Sequence, residues 1–238
     1  MLKNTTHYST YKTNKMKKTI ALFLTVFYLL SSGIAQPTAS TPAENNKFIT
    51  AMETNLKILD TASTSTTLIM LANTFERIGN AEAKYWQPWY YAALCYGFLA
   101  LKSPDKSMID PLTEKAESYL EKATLLSKDN SEISALLGMI INTKILVDPP
   151  ARWQTYSPQS AALLQSAKQQ NPLNPRPYLI EARTKMYTPP AMGGGPDAAR
   201  PIVEKALSNF KEFQPENSIA PVWGLAQTKM LQAKINRQ

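Results

Sequence analysis

Tyr90 to Leu126 reads YYAALCYGFLALKSPDKSMIDPLTEKAESYLEKATLL. Two apolar stretches with helical spacing, YYAALCYGFLAL and YLEKATLL, flank the turn signal Lys102-Ser103-Pro104-Asp105, which reads as a helix, a reversal and a second helix. The first helix carries the small residue Cys95 within its apolar run. The second carries two, Ala116 and Ala123, seven apart. Helix axes that cross at roughly 8–10 Å leave room only for small side chains, so these positions mark crossings. The same pair recurs outward along the chain as Ala72 and Gly79, Ser160 and Ala167, and Ala199 and Ala206; first members are 44, 44 and 39 residues apart. A second series, Cys95, Gly138, Ala182 and Gly224, interleaves with spacings of 43, 44 and 42. Two series sharing one period predict one helical hairpin repeated, with a crossing on each of its two helices.

Tyr91, Leu94, Cys95 and Phe98 follow the aromatic, Leu, small, aromatic order of a first helix. Leu137, Gly138 and Ile141 follow most of it, and Trp223-Gly224 and Tyr178 with Ala182 follow it in part, with Glu181 where Leu is expected. Ser160, Ala167 and Pro172 match a second helix. From Lys47 to the C-terminus the chain therefore resembles the tetratricopeptide repeat family, whose units have about 34 residues. The units here are longer, and the extra residues fall in loops around 103–109, 148–157 and 188–195. The resemblance implies an all-α fold: antiparallel hairpins stacked as a short right-handed solenoid of about nine helices. These are expected at 47–60, 64–82, 87–102, 110–127, 131–147, 158–170, 175–188, 197–212 and 218–235. It also implies a concave surface lined by the first helix of each hairpin.

The N-terminus reads differently. Met16-Lys17-Lys18 precedes an apolar run, Ile20 to Leu30, and small residues before Gln36. This is the grammar of a secretory signal peptide over residues 1–35, with Met16 a candidate true start. The run is short for a membrane span, which needs about 20 residues, so stable membrane insertion is not expected once the leader is removed. Residues 36–46 read as a disordered tether and 47–238 as the repeat domain. Residues 1–35 hold five of the 26 basic residues and none of the 18 acidic ones, leaving 21 against 18, or +3 rather than +8. No basic stripe for nucleic acid survives.

The single histidine, His7, falls in the leader, and the single cysteine, Cys95, in an apolar helix. Histidine-assisted nucleophiles and the common zinc sites are thereby excluded from the remainder, and Cys95 reads as a small buried hydrophobe. No metal, cofactor or catalytic residue is expected.

Four features compete for a functional role. Gly193-Gly194-Gly195 precedes a helix, but no strand comes before it and no Gly-Lys-Ser/Thr follows. It reads as a positive-φ reversal rather than a phosphate cradle, with Asp197 suited to cap the helix. Tyr85–Phe98 holds seven of the 22 aromatics, more than one stripe a little over 100° wide can bury. Trp86, Trp89 and Tyr90 are thus either packing for the N-terminal end or a recognition surface. The expected loop Asp148–Pro158 offers Arg152, Trp153 and Tyr156 as further contact residues. Glu181 interrupts an apolar face and invites an ion pair with Arg183 or Arg152.

With no set of residues for chemistry, the leading expectation is a non-catalytic exported scaffold, periplasmic or secreted, that binds a protein or peptide. One alternative is a small-ligand protein or hydrolase using Glu181, Arg152 and the glycine loop, which requires a pocket at the loop side. The other is a structural subunit of an envelope assembly.

Overall fold

Thr64, Asn130 and Asp148 each stand just before a helix and turn a side-chain oxygen onto its first amides, accepting from Thr67 N at 3.2 Å, Glu132 N at 2.9 Å and Ala151 N at 3.3 Å. Pro sits within the first two positions of four helices, the one after Asp148 among them, where its missing N–H costs nothing. These signals punctuate a computed structural model that describes residues 42–237. The expected leader and residues 36–41 of the expected tether lie outside the described residues.

Nine α-helices and no strands occur among the described residues: α1 Pro42–Thr61, α2 Ser65–Ala81, α3 Gln87–Lys102, α4 Ile109–Leu126, α5 Ser131–Thr143, α6 Pro149–Gln170, α7 Arg176–Tyr187, α8 Pro196–Glu212 and α9 Leu225–Ile235. Short 3₁₀ turns occupy Lys106–Met108, Lys144–Val147 and Pro190–Met192. The pairs α3–α4, α5–α6 and α7–α8 pack as hairpins, while α3 touches α5, α5 touches α7 and α7 touches α9. The small residues sit at these contacts. Ala72, Cys95, Ala116, Ala123, Ala167, Ala182, Ala199 and Ala206 are all fully buried, as are Gly79, Gly138 and Gly224 at their own contacts. Ser160 adds a hydrogen bond from its hydroxyl to the Gly138 carbonyl, 2.8 Å. Burial pushes the Cys95 thiol well above its usual range.

Three expected boundaries are corrected. Helix α1 reaches back to Pro42, into the segment read as a tether. The expected loop 148–157 is helical, because Asp148 caps α6 and Pro149 and Pro150 begin it. Both prolines are first-turn residues, where the missing N–H breaks no helical bond. The last helix starts at Leu225 rather than 218, because Gly224 adopts φ +115°, outside the helical region.

What replaces that helical turn is a strap. Residues 213–224 return across the molecule and are tied to α3 and α7 by side chains. Tyr91 Oη donates to the Ile219 carbonyl at 3.0 Å, Trp223 Nε1 donates to Tyr90 Oη at 2.8 Å, and the Arg176 guanidinium donates to the Pro221 carbonyl. Trp223 also meets Phe98 edge to face, with centroids 5.8 Å apart, a pair worth about 0.5–1.5 kcal/mol beyond the area it buries.

Beneath the strap lies a buried polar cluster. Arg176 is 0% exposed. Its Nη1 donates to Glu132 Oε1 at 2.8 Å, and its backbone amide donates to Asn174 Oδ1 at 2.9 Å. Asn174 donates in turn to Ser131 Oγ, 2.9 Å, which donates to the Ala167 carbonyl, 2.7 Å. Burial pushes the Glu132 carboxyl up to about 7, against the opposing pull of Arg176. The cluster joins α5, α6, α7 and the strap.

Candidate functional site

Helix α3 decides what the aromatic stretch does. Trp89 is buried against Gly79, where an added Cβ would lie 2.7 Å from the indole. It stacks with Tyr119 at 6.1 Å, and Lys122 caps its outer face at 4.2 Å. Tyr90 is fully buried and accepts from Trp223. Trp86 is half-buried, edge-on to Tyr90. Trp89 and Tyr90 therefore belong to the core and present no recognition surface. The stripe argument misleads here because α3 is covered by α2, α4, α5 and the strap, so it is buried nearly all round.

The glycine loop is a closed corner. Gly193 has φ +76° and Gly195 φ +97°, and a Cβ on Gly194 would lie 2.2 Å from the Thr188 carbonyl oxygen. All three amides donate to nearby backbone carbonyls: Gly193 to Pro190 at 2.9 Å and Gly194 to Pro189 at 3.2 Å within the loop, and Gly195 to Lys185 at the end of α7 at 2.8 Å. None is left to cradle an anion. Asp197 does not cap α8; its carboxylate points to solvent, 3.8 Å from Arg200. The loop's structural effect is to hold Met192 beside the end of α7.

Two concavities matter. One, of about 640 Å³, lies between α1 and the strap and is lined by Tyr91, Leu94, Phe98 and Trp223 together with Glu53, Lys57 and Asp60. The strap and the start of α9 occupy this face of α3, which a repeat scaffold would leave open for a peptide.

The second concavity, of about 800 Å³, lies at the loop ends of the last two full hairpins. The end of α5 and its 3₁₀ turn supply Asn142, Ile145 and Leu146. The first turns of α6 supply Pro149, Pro150 and Trp153, presented there because the Asp148 cap starts the helix early. The end of α7 supplies Arg183 and Tyr187 from one helix face, four residues apart, and the corner after it supplies Met192. Leu146, Tyr187 and Met192 are 40%, 64% and 49% exposed. Leu146 and Met192 form an apolar lip that folding leaves uncovered, while Lys234 lies 4.5 Å from the Tyr187 ring and donates to its hydroxyl at 3.0 Å.

Arg183 is the one charged residue among those lining this groove. Its Nη2 is buried without a hydrogen-bond partner, and it takes part in none of the ion pairs among the described residues. Burial pulls its pKa down from the ordinary arginine value, and Tyr187 opposes that slightly. Asn142 Oδ1 is also buried and unpartnered. An apolar concavity of this size with a few convergent polar groups has the properties of a small-molecule site, which typically spans about 300–1,000 Å³.

The other expected site residues are engaged elsewhere. Arg152 makes a two-pronged bond to Asp110, 2.6 and 2.7 Å, and reaches the Lys144 carbonyl at 3.3 Å. That guanidinium holds the Asp110 carboxyl below the usual range. Tyr156 is half-buried beside Arg152 and Lys144. Glu181 pairs with Lys168 at 2.5 Å, not with either arginine. Of the expected contact residues only Trp153 lines the groove; Leu146, Arg183, Tyr187 and Met192 were not singled out as a set. The excess repeat length at 148–157 and 188–195 marks Trp153 and Met192, while Leu146, Arg183 and Tyr187 lie outside those segments and carry no such signal. Among the described residues no group of three or more His, Cys, Asp or Glu side chains is placed to hold a metal ion, and no helix is long and apolar enough to cross a membrane.

No protein-family profile matches the chain, and no curated protein sequence matches it. Among solved structures, the HusA haemophore from Porphyromonas gingivalis matches with 36% sequence identity and a TM-score of 0.72, over 80% of this chain and 93% of that one. Identity at this level over nearly the whole of the other chain is a relationship of sequence as well as of fold. The chain belongs to the same family as the HusA haemophore.

Proposed function

We propose that this protein is an exported, non-enzymatic haem carrier, and that the groove between the ends of α5 and α7 and the start of α6 is its binding site. The observation that carries the reading is the groove itself, in a relative of a haemophore: an apolar slot with Trp153 and Tyr187 among its aromatic lining and a single cation. A flat macrocycle with acidic side chains fits that chemistry. Its rings bury against the apolar wall, which gains roughly 25 cal/mol per Å² removed from water. Haem is cargo here, not a resident cofactor. The chain has no histidine between residues 42 and 237, so the donors the groove offers an iron are the Tyr187 hydroxyl and the Met192 thioether. The hairpins then act as a lengthened tetratricopeptide-like scaffold whose extra loop residues build the site.

A peptide scaffold is the weaker reading, because the strap narrows the face of α3 that would line its groove to the concavity beside α1. Titrating the purified protein with haem should give a saturable change in the haem absorption band and quench tryptophan fluorescence. Trp153→Ala should weaken binding about tenfold or more, as loss of an aromatic anchor does, while leaving the helical circular dichroism intact. Undiminished binding by that variant would remove the site from this groove, and no binding by the wild type would remove the function.

A further inference from the structure

Of the buried polar atoms that the fold leaves without a partner, two belong to residues lining the groove, Asn142 and Arg183, and Arg183 is the charged one. A buried guanidinium nitrogen without a partner is costly, and the chain gives its fully buried arginine, Arg176, a carboxylate, a carbonyl and stacked rings, leaving only Nε unpartnered, whereas the half-buried Arg183 has no hydrogen bond or ion pair among the described residues. The acid two residues before it on α7, Glu181, is taken by Lys168. No Asp or Glu lines the groove. The rest of the lining is apolar or neutral, and the other cation at the groove, Lys234, is engaged with Tyr187, donating to its hydroxyl at 3.0 Å and lying 4.5 Å from its ring.

We propose that Arg183 takes a free carboxylate of the bound molecule, which makes it the residue that selects flat apolar acids over neutral molecules of the same shape. This rests on the carrier reading above. The guanidinium's paired N–H groups match the geometry of a carboxylate. The pairing also fixes orientation, with one acid group turned in toward α7 and the other parts of the ring edge left toward the exposed lip of Leu146 and Met192. The cargo thereby supplies the partner that the protein lacks.

The test compares protoporphyrin IX with its dimethyl ester, two rings of one shape that differ in whether the acids are free. Binding is measured by tryptophan quenching on wild type, Arg183→Gln and Arg183→Lys. The wild type should prefer the free acid by about ten- to a hundredfold, the range of a charge-assisted hydrogen bond in a site sheltered from water. Arg183→Gln should bind both forms alike, at the wild-type affinity for the ester. Arg183→Lys should keep part of the preference, since it keeps the charge and loses the fork.

Equal wild-type affinity for acid and ester would overturn the proposal while leaving the carrier reading standing, as would a preference that survives in a folded Arg183→Gln. Failure of both porphyrins to bind the wild type would overturn the carrier reading and the anchor with it. Should Arg183→Gln fail to fold, the wild-type comparison of acid with ester still decides.

Discussion

Two arginines seven residues apart on α7 sit in opposite circumstances. Arg176, at the start of the helix, is enclosed and bonded to Glu132, the Pro221 carbonyl and Asn174. Arg183, two turns on, is half-buried, with Nη2 shut off from water and no hydrogen bond or ion pair among the described residues. The first belongs to the architecture, where a partner had to be found inside the chain. The second lines a groove that folding leaves open. A buried charge that the chain does not satisfy is a better pointer to a ligand than one that it does.

The largest expected effect comes from breaking the satisfied end. Arg176→Met should destabilise the protein by about 3–5 kcal/mol, because it strands Glu132 in the core and frees the strap. Thermal or urea unfolding would measure it, and a loss under about 1 kcal/mol would mean that the cluster contributes little.

A second experiment uses pH. Glu132 holds its proton up to about 7 when folded, against an ordinary value of 4.5. Between these values the unfolded chain has released the proton and the folded protein still binds it, so stability falls as pH rises through that window. The fall attributable to this group is on the order of 3 kcal/mol at ~1.4 kcal/mol per pH unit. Glu132→Gln should flatten that part of the stability profile. A profile unchanged by the substitution would place the folded pKa of Glu132 near its ordinary value.

The smallest effect tests the unsatisfied end. Arg183→Met should leave the ligand-free protein as stable as before or raise it by up to about 1 kcal/mol, since removing an unpaired desolvated charge relieves a cost. A rise of that size shifts the unfolding midpoint by roughly 2–4 °C in a domain of this length. A loss comparable to that of Arg176→Met would make the two arginines alike and erase the contrast.

Much of the fold was readable because helix crossings demand small residues, and Ala72, Ala116, Ala167 and Ala199 carry that demand in the sequence itself. What was not readable was tertiary. Pro149 and Pro150 signal a helix start only to a reader who knows that Asp148 caps it. Gly224 looks like another crossing residue, and it is close-packed against Phe210 and Leu179, but its backbone angle is invisible in the sequence. Trp89 and Tyr90 looked surplus to a single stripe because the strap that helps to cover α3 comes from 130 residues further on. The groove was half legible. The excess length of the repeats marked where it lies, while Arg183 reads as an ordinary ion-pair candidate until Glu181 is seen to hold Lys168.

The strap has a consequence for how the molecule comes apart. Stacked hairpins interact mainly with their neighbours, so such chains can fray from either end and populate partly unfolded forms. Here the bonds of Tyr90 and Tyr91 to Trp223 and Ile219 run like a chord from an early helix to the last quarter of the sequence. Closing that loop slows folding, since the entropy of a long closure must be overcome before the contacts reward it. In return the two ends protect one another. Amide exchange in α3 and in the segment around Ile219 should open together, as one cooperative unit, rather than in the order in which the hairpins are stacked.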